Sequence, residues 1–303
     1  MIGSGSKKQG SALLLALVTI VVLSALMVSF IFRLHLESEL ASQKRFGFKA
    51  SSLAKGGQEY AKWMLVQSLK SDASETTELG EAHALALELL SSGVPLNNYS
   101  IKTEGGRIDL SILPENSWRN VNFLSDADWE QLLENNGVPS EHHAGLIAQF
   151  RDWTDANDQS LLLGAEEEDD FYQQRNLPVK NAPVTALEEI QFIKGFTPAI
   201  CFGGTLEEHY NQPEIEVTGI LPLLTVFGKE GVSLQSASKE VLMSLSGIRE
   251  EQVDSLLEAR MGIDGIPGTE DDGFQSLDQA LASANLPRDL NNAFTLSDFS
   301  TVR

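Results

Sequence analysis

The stretch that decides the fold lies near the amino terminus, where residues 11–32 read SALLLALVTIVVLSALMVSFIF without a charged side chain. As a helix, these residues would be about 33 Å long, enough to cross the roughly 30 Å hydrocarbon core of a membrane. Lys7 and Lys8 precede the run, and basic residues keep a short amino terminus in the cytoplasm. We therefore expect one membrane-spanning helix in the inner membrane, with the carboxy-terminal bulk of the chain in the periplasm.

The composition of the whole chain narrows the classes of function. Its 22 Lys and Arg stand against 43 Asp and Glu, a net charge of -21, so nucleic acid is a poor partner, because phosphate binding needs clustered basic residues. The single cysteine, Cys201, excludes an intrachain disulfide and a multi-thiolate metal site. Five histidines are scattered along the chain and do not suggest a zinc site. The metal that such an acidic chain favours is a hard one, such as calcium.

Three interpretations of the apolar run compete. A cleaved signal peptide has a shorter apolar stretch of about 7–15 residues, and a plain single-span anchor needs no further feature. The third rests on Lys7-Lys8-Gln9-Gly10 directly before the run, since a basic leader ending in glycine resembles that of type IV prepilins. This resemblance implies that prepilin peptidase cuts between Gly10 and Ser11. The new amino terminus would be methylated, and the helix would stay in the mature protein as anchor and assembly stalk.

The rest of the chain alternates helical and strand patterns. Helical spacing of apolar residues continues to about residue 69, weakened near Gly47 and Gly56-Gly57, and a strand pair at 99–102 and 107–112 follows. Further predicted strands lie at 214–218 and 223–227. The other predicted helices cover 81–90, 126–135, 140–153, 183–193, 239–245 and 250–260. This order predicts an α+β protein.

Two of these helix pairs, 126–153 and 239–260, resemble helix-hairpin-helix units, each joined by a turn that contains glycine. Many such hairpins bind DNA by offering turn amides to phosphate. Acidic residues edge both turns here: Glu134, Glu141, Glu250 and Glu251. Since these acids would repel phosphate, we interpret the hairpins as packing units.

Two acidic clusters are candidate calcium sites. The first runs from Asp152 to Asp158 and continues as Gly164-Ala165-Glu166 to Tyr172, and its candidate ligands are Asp155, Asp158 and Glu166. The second is the glycine-rich segment 262–273, whose candidate ligands are Asp264, Asp271 and Asp272. Ca²⁺ takes 6–8 oxygen ligands and needs several carboxylates, so we expect about two ions. The alternative for each cluster is a solvated acidic loop.

No catalytic residue stands out. The sequence has no G-x-S-x-G frame around a serine. The pair His142-His143 is expected on a helix surface, and Cys201, between Ile200 and Phe202, is expected to be a small buried residue.

An ordered set of segments is similar to the GspK family, the K-type minor pseudopilins of type II secretion, over roughly residues 7–300. The segments are the leader before Gly10, Asp152-Trp153 to Tyr172, Asn181-Ala182-Pro183, Leu187-Glu188-Glu189-Ile190, and the hairpin from Val232 to Arg260. Leu15 stands where most pilins and pseudopilins carry Glu, and the GspK family typically lacks that Glu as well.

The resemblance implies a fold, partners and a role. The fold is a pilin-like long helix packed on an antiparallel sheet, with a large inserted helical domain that contains the helix-hairpin-helix-like units. The partners are the I- and J-type minor pseudopilins, the major pseudopilus subunit and prepilin peptidase. The protein would be no enzyme, and it would cap the pseudopilus tip and help to initiate it.

The resemblance also implies domain boundaries. The family usually has more residues after the position of residue 299, so the last strands are expected to be missing or replaced. The expected regions are 1–10 (leader), 11–33 (transmembrane helix), 34–112 (pilin-like helix and first strands), 113–212 (helical insertion), 213–234 (pilin-like strands), 235–290 (helix-hairpin-helix-like, with the glycine-rich loop) and 291–303 (carboxy-terminal strand). Two other functions stay open: a minor pilin of a type IV pilus-like machine, and a membrane-anchored periplasmic hydrolase that uses the acidic cluster.

Overall fold

The computed structural model describes residues 6–70, 80–206, 214–286, 293–296, 299 and 302, and the fold is α+β, as predicted. The helices are α1 (Ser6–Ser68), α2 (Glu81–Ser91), α3 (Asp126–Asn135), α4 (Ser140–Thr154), α5 (Asp170–Arg175), α6 (Pro198–Phe202), α7 (Lys239–Met243), α8 (Glu250–Arg260) and α9 (Leu277–Ser283). The strands are β1 (Leu96–Thr103), β2 (Gly106–Ile112), β3 (Arg119–Asn120), β4 (Gly204–Leu206), β5 (Ile215–Val217), β6 (Leu224–Thr225), β7 (Val232–Ser233) and β8 (Phe294–Thr295).

Helix α1 is continuous over 63 residues. The predicted weakening at Gly47 and Gly56 is wrong, because both lie inside the helix, where no neighbouring atom would meet an added side chain. The apolar side chains from Leu13 to Phe32 are exposed. Among the described residues, α1 is the helix long and apolar enough to cross a membrane, consistent with a single-pass anchor.

The chain forms two compact units, one of residues 1–60 and 100–108 and the other of 61–99 and 109–303. In the first unit, the turn between β1 and β2 lies against Leu53 of α1. A Cβ atom on Gly105 would be 3.1 Å from a Leu53 methyl carbon, and one on Gly106 would be 3.2 Å away. The two glycines therefore allow the turn to contact the helix closely.

The second unit contains two hydrophobic cores. The first core surrounds Trp129, Phe150 and Tyr172, and helices α3 and α4 provide much of it. The second surrounds Leu234, Leu242 and Phe274, with α7, α8 and α9 around it. The two predicted hairpins thus contribute to separate cores.

The sheets of the described residues are pairs of strands. Strands β1 and β2 form a hairpin, and β4 pairs antiparallel with β5, with Gly204 opposite Val217. Strand β3 pairs parallel with β6, and β7 pairs parallel with β8 through Val232 and Phe294. The small antiparallel sheets agree with the predicted fold, and the parallel pairs were not foreseen. Most of the predicted strand at 291–303 other than β8 lies outside the described residues.

The predicted helix at 183–193 is wrong: the segment contains a 3-10 helix, Leu187–Phe192. The Glu189 carboxylate fixes where it begins, because it accepts hydrogen bonds from the backbone N–H groups of Thr185 and Ala186 at 3.2 and 3.1 Å. Ala186 is extended, so a regular helix cannot begin before residue 187.

Candidate functional site

The first acidic cluster is built on the last turn of α4. Asp152 is fully buried there, and its carboxylate accepts hydrogen bonds from the backbone N–H of Leu161, at 3.1 and 3.2 Å, and from the Ser160 hydroxyl at 3.2 Å. The segment that follows α4 therefore turns back over the end of its own helix. Gly164 passes so close that a Cβ atom there would lie 2.0 Å from Asp152 Oδ2.

Glu166 is the most unusual side chain of the cluster. Only 6% of its surface is exposed, and neither carboxylate oxygen has a hydrogen-bond partner. Burial, and after it the charges of Asp152, Asp155 and Asp158, together raise its pKa to about 7. A buried, unpartnered carboxylate among other carboxylates is costly unless a proton or a cation neutralises it.

The two other predicted ligands of this site lie in the loop after α4. Asp155 accepts a hydrogen bond from the backbone N–H of Asn157 at 3.0 Å, and Asp158 accepts one from the Asn181 side-chain amide at 2.7 Å. The amide oxygen of Asn181 is itself buried without a partner, and its backbone has a positive φ of 48°. Two residues thus join the predicted set, Asp152 and Asn181, neither of which was among the expected ligands.

These donors fit a hard cation by type, since carboxylate and amide oxygens are the ligands that Ca²⁺ prefers. Within the described ranges, no group of three or more His, Cys, Asp or Glu side chains is already arranged to hold a metal ion. What points to a cation is that the carboxylate oxygens of Glu166 and the amide oxygen of Asn181 are buried without a hydrogen-bond partner. We call these the open oxygens.

The second acidic cluster satisfies most of its own oxygens. Asp271 accepts hydrogen bonds from the backbone N–H groups of Ile263 and Asp264 at 2.6 and 3.4 Å, and the first of these is the main reason that its pKa is lowered. The Thr269 hydroxyl lies 2.9 Å from Asp271 and 3.4 Å from Asp264. Asp272 Oδ1 is buried without a partner. Hydrogen bonds within the protein already close this loop without an ion. Calcium binding by Asp264, Asp271 and Asp272 therefore stays a prediction.

The predicted processing site lies in α1, since both Gly10 and Ser11 fall within Ser6–Ser68.

Cys201 is buried, as expected, and burial raises the pKa of its thiol to about 11. The expectation that His143 lies on the helix surface is wrong. It is buried, and its Nε2 atom is 2.8 Å from the carbonyl oxygen of Val138 in the turn between α3 and α4.

Comparison with known proteins places part of this chain in the class of type II protein secretion components. Residues 106–201 match the family model described as "Type II secretion system (T2SS), protein K". This match confirms the resemblance to the K-type minor pseudopilin family. The first acidic cluster lies inside the matched residues, and the second lies outside them.

One structural comparison gives a chain of "The Crystal Structure of the GspK-GspI-GspJ complex from enterotoxigenic Escherichia coli Type 2 Secretion System". The identity is 15% and the TM-score is 0.47, over 80% of this chain and 86% of that chain. Comparison with curated proteins gives no match.

Proposed function

We propose that this chain is a minor pseudopilin that caps the tip of the type II secretion pseudopilus and helps to initiate it, in complex with the I- and J-type pseudopilins. The observation that carries the proposal is the match of residues 106–201 to the protein K family. The same match favours type II secretion over a type IV pilus-like machine. Leu15 supports the place at the tip, because it lacks the carboxylate that most pseudopilins offer to a neighbouring subunit.

Co-purification tests the partnership. The full-length chain, expressed with I- and J-type pseudopilins and extracted from membranes in mild detergent, should elute with both in one complex. As a comparison, a major pseudopilin that has Glu at the position of Leu15 is expressed with the same I- and J-type pseudopilins, and its co-elution with them is measured. Elution of the full-length chain alone, while the I- and J-type subunits associate with each other, would contradict the proposal.

The anchor is proposed to be a processed prepilin helix. The apolar part of α1 and the leader ending at Gly10 support this. Amino-terminal sequencing of the membrane-extracted protein should begin at Ser11 and show a methylated residue there. A start at Met1, or a soluble product that lacks residues 13–32, would instead indicate a plain anchor or a cleaved signal peptide.

The periplasmic part is proposed to bind calcium, with one ion at Asp155, Asp158 and Glu166, joined by Asp152 and Asn181, and a second at Asp264, Asp271 and Asp272. The open oxygens of Glu166 support the first site more strongly than any feature supports the second. Bound there, calcium would supply charge neutralisation and cross-links between loop segments, not chemistry on a substrate.

Calorimetry of the full-length chain in detergent tests this proposal. A ligand that binds only the folded state stabilises it by about 2.7 kcal/mol at a hundredfold excess over Kd. Glu166→Gln should remove one binding event and leave the other, and Asp264→Ala combined with Asp271→Ala should do the reverse. No heat of binding and no effect of chelator on the melting temperature would leave both clusters as solvated loops.

A further inference from the structure

Three consecutive leucines are displayed to solvent beside the first acidic cluster. Leu161, Leu162 and Leu163 are 47%, 90% and 60% exposed. We call residues 160–164 the leucine loop. Single exposed apolar residues are common on protein surfaces, but adjacent ones that form a patch mark a site of interaction.

The backbone holds the leucines outward. The N–H of Leu161 is fixed on the buried Asp152 carboxylate, and the N–H of Gly164 donates to the carbonyl oxygen of Leu161 at 2.9 Å. The Gln149 side chain donates to the carbonyl oxygen of Leu163 at 3.3 Å. Leu163 has a φ of 72°, a conformation that bulky residues rarely adopt. The exposure of the leucines is therefore a property of an ordered loop.

The sequence on both sides of the loop is acidic. No Lys, Arg or His occurs between Asp155 and Asp170. On the carboxy-terminal side of the leucines, Glu167 and Glu168 are exposed, and neither is a candidate calcium ligand. The charge of Asp169 is balanced by Lys194, whose Nζ atom lies 2.6 Å from the Asp169 carboxylate. A molecule that binds the leucine loop must offer an apolar surface to the leucines and tolerate negative charge beside them.

This combination selects among possible occupants. We call Glu167 and Glu168 the rim of the leucine loop. A second copy of the chain would bring the same negative rim against itself, and anionic headgroups of a membrane would be repelled in the same way. We infer that the leucine loop is a docking site for a protein partner that presents an apolar side chain flanked by Lys or Arg. This inference stands whether or not the chain is a pseudopilus subunit.

Site-specific photocrosslinking in the host cell tests the inference on the full-length chain. A photoreactive residue replaces Leu162, and the matched control replaces Phe202, which is 56% exposed at the end of α6. Because Leu162 is almost fully exposed, its replacement leaves the core intact. A second probe at Leu163 guards against loss of the first variant. The crosslinked peptide of the partner is identified by mass spectrometry.

The expected result is a crosslink from position 162 to a protein segment that has an aliphatic or aromatic residue next to Lys or Arg, with none from position 202. Reversing the rim with Glu167→Lys and Glu168→Lys should reduce this crosslink at least fivefold. Glu130→Lys with Glu134→Lys, an equal charge change on α3, should leave it unchanged.

Several results would overturn the inference. They are the absence of a crosslink from positions 162 and 163, crosslinks to lipid, crosslinks to a second copy of the chain, and a protein crosslink that is insensitive to reversal of the rim.

Discussion

At the scale of single residues, Glu166 determines how the first acidic cluster responds to pH. Its pKa rises from 4.5 to about 7 because of burial and the neighbouring acids. A carboxyl group whose folded-state pKa is raised stabilises the fold below its unfolded pKa, and this contribution is lost as the pH rises through the folded value. In chelator, the contribution of Glu166 to stability should therefore fall between about pH 4.5 and pH 7.

Thermal unfolding in chelator measures this effect. Between pH 5 and pH 8, the melting temperature of wild type should fall by roughly 5–10 °C more than that of Glu166→Gln. The raised pKa corresponds to about 2.5 kcal/mol over this range, and about 1 kcal/mol corresponds to 2–4 °C in a protein of this size. Glu167→Gln, at an exposed neighbour, is the control and should behave as wild type. Equal pH dependence in wild type and Glu166→Gln would show that Glu166 does not titrate in this range.

Gly164 is required by the contact with Asp152. A Cβ atom on Gly164 would lie 2.0 Å from Asp152 Oδ2, so Gly164→Ala must displace the buried carboxylate and should cost about 1–3 kcal/mol. Gly145→Ala is the matched control, because Gly145 lies inside α4 with no atom near its Cβ position. The control should be neutral or stabilise by about 0.5–1 kcal/mol. Urea unfolding of both variants measures the difference, and equal stabilities would place Gly164 in a looser loop than described.

At the scale of elements, one buried ion pair joins the two predicted hairpins. Arg119 in β3 lies 2.9 Å from Asp128 of α3 and donates to the carbonyl oxygen of Ser244 at the end of α7. Asp128 also accepts a hydrogen bond from the backbone N–H of Ser246 at 3.2 Å. Burial alone would raise the pKa of Asp128, but Arg119, Ser125 and Ser246 together lower it to about 2. Ionised Asp128 therefore stabilises the fold above about pH 3.8, and this contribution is lost as the pH falls through about 2.

Asp128→Asn should therefore destabilise the second unit by about 2 kcal/mol at pH 7, since one pKa unit corresponds to about 1.4 kcal/mol. Asp126→Asn is the control, because Asp126 is largely exposed and its pair with Arg151, at 2.7 Å, is open to solvent. That change should cost less than about 1 kcal/mol. Denaturant unfolding at pH 7 compares the two variants. Equal losses would mean that the buried pair does not couple the hairpins.

The elements that could be predicted from the sequence are those with local signals. Helices α3 and α8 begin and end at the predicted residues, and Ser125 forms a capping box with Asp128. The two-residue strands β3 and β7 had no such signal, because their partners β6 and β8 are far away in the chain. The start of the 3-10 helix at Leu187–Phe192 is fixed by the Glu189 carboxylate, a side-chain contact that apolar spacing does not report.

The candidate site was predicted in part for a similar reason. The acids of the first cluster could be identified by composition, whereas the roles of Asp152 and Asn181 depend on burial and on a positive φ. In the sequence, Asp152 is the first acid of the cluster, but its burial follows from the loop that turns back over the end of α4. Asn181 joins the site through its hydrogen bond to Asp158, 23 residues away, and its amide oxygen is buried without a partner.

At the scale of the whole molecule, the long apolar helix and the family match support one account. Helix α1 provides a candidate membrane anchor, and residues 106–201 match the family model of protein K. A subunit that caps a filament should occur once per filament, because a filament has one tip. A subunit of the shaft would repeat along the whole length.

Labelling of assembled pseudopili tests this account most directly. An epitope tag at the carboxy terminus of the full-length chain, detected by immunogold electron microscopy on surface-displayed pseudopili, should give gold at one end of each filament. The same tag on the major subunit should label the length and serves as the control. Gold distributed uniformly along filaments through the tagged full-length chain, or filaments that assemble without it and carry none, would contradict the account.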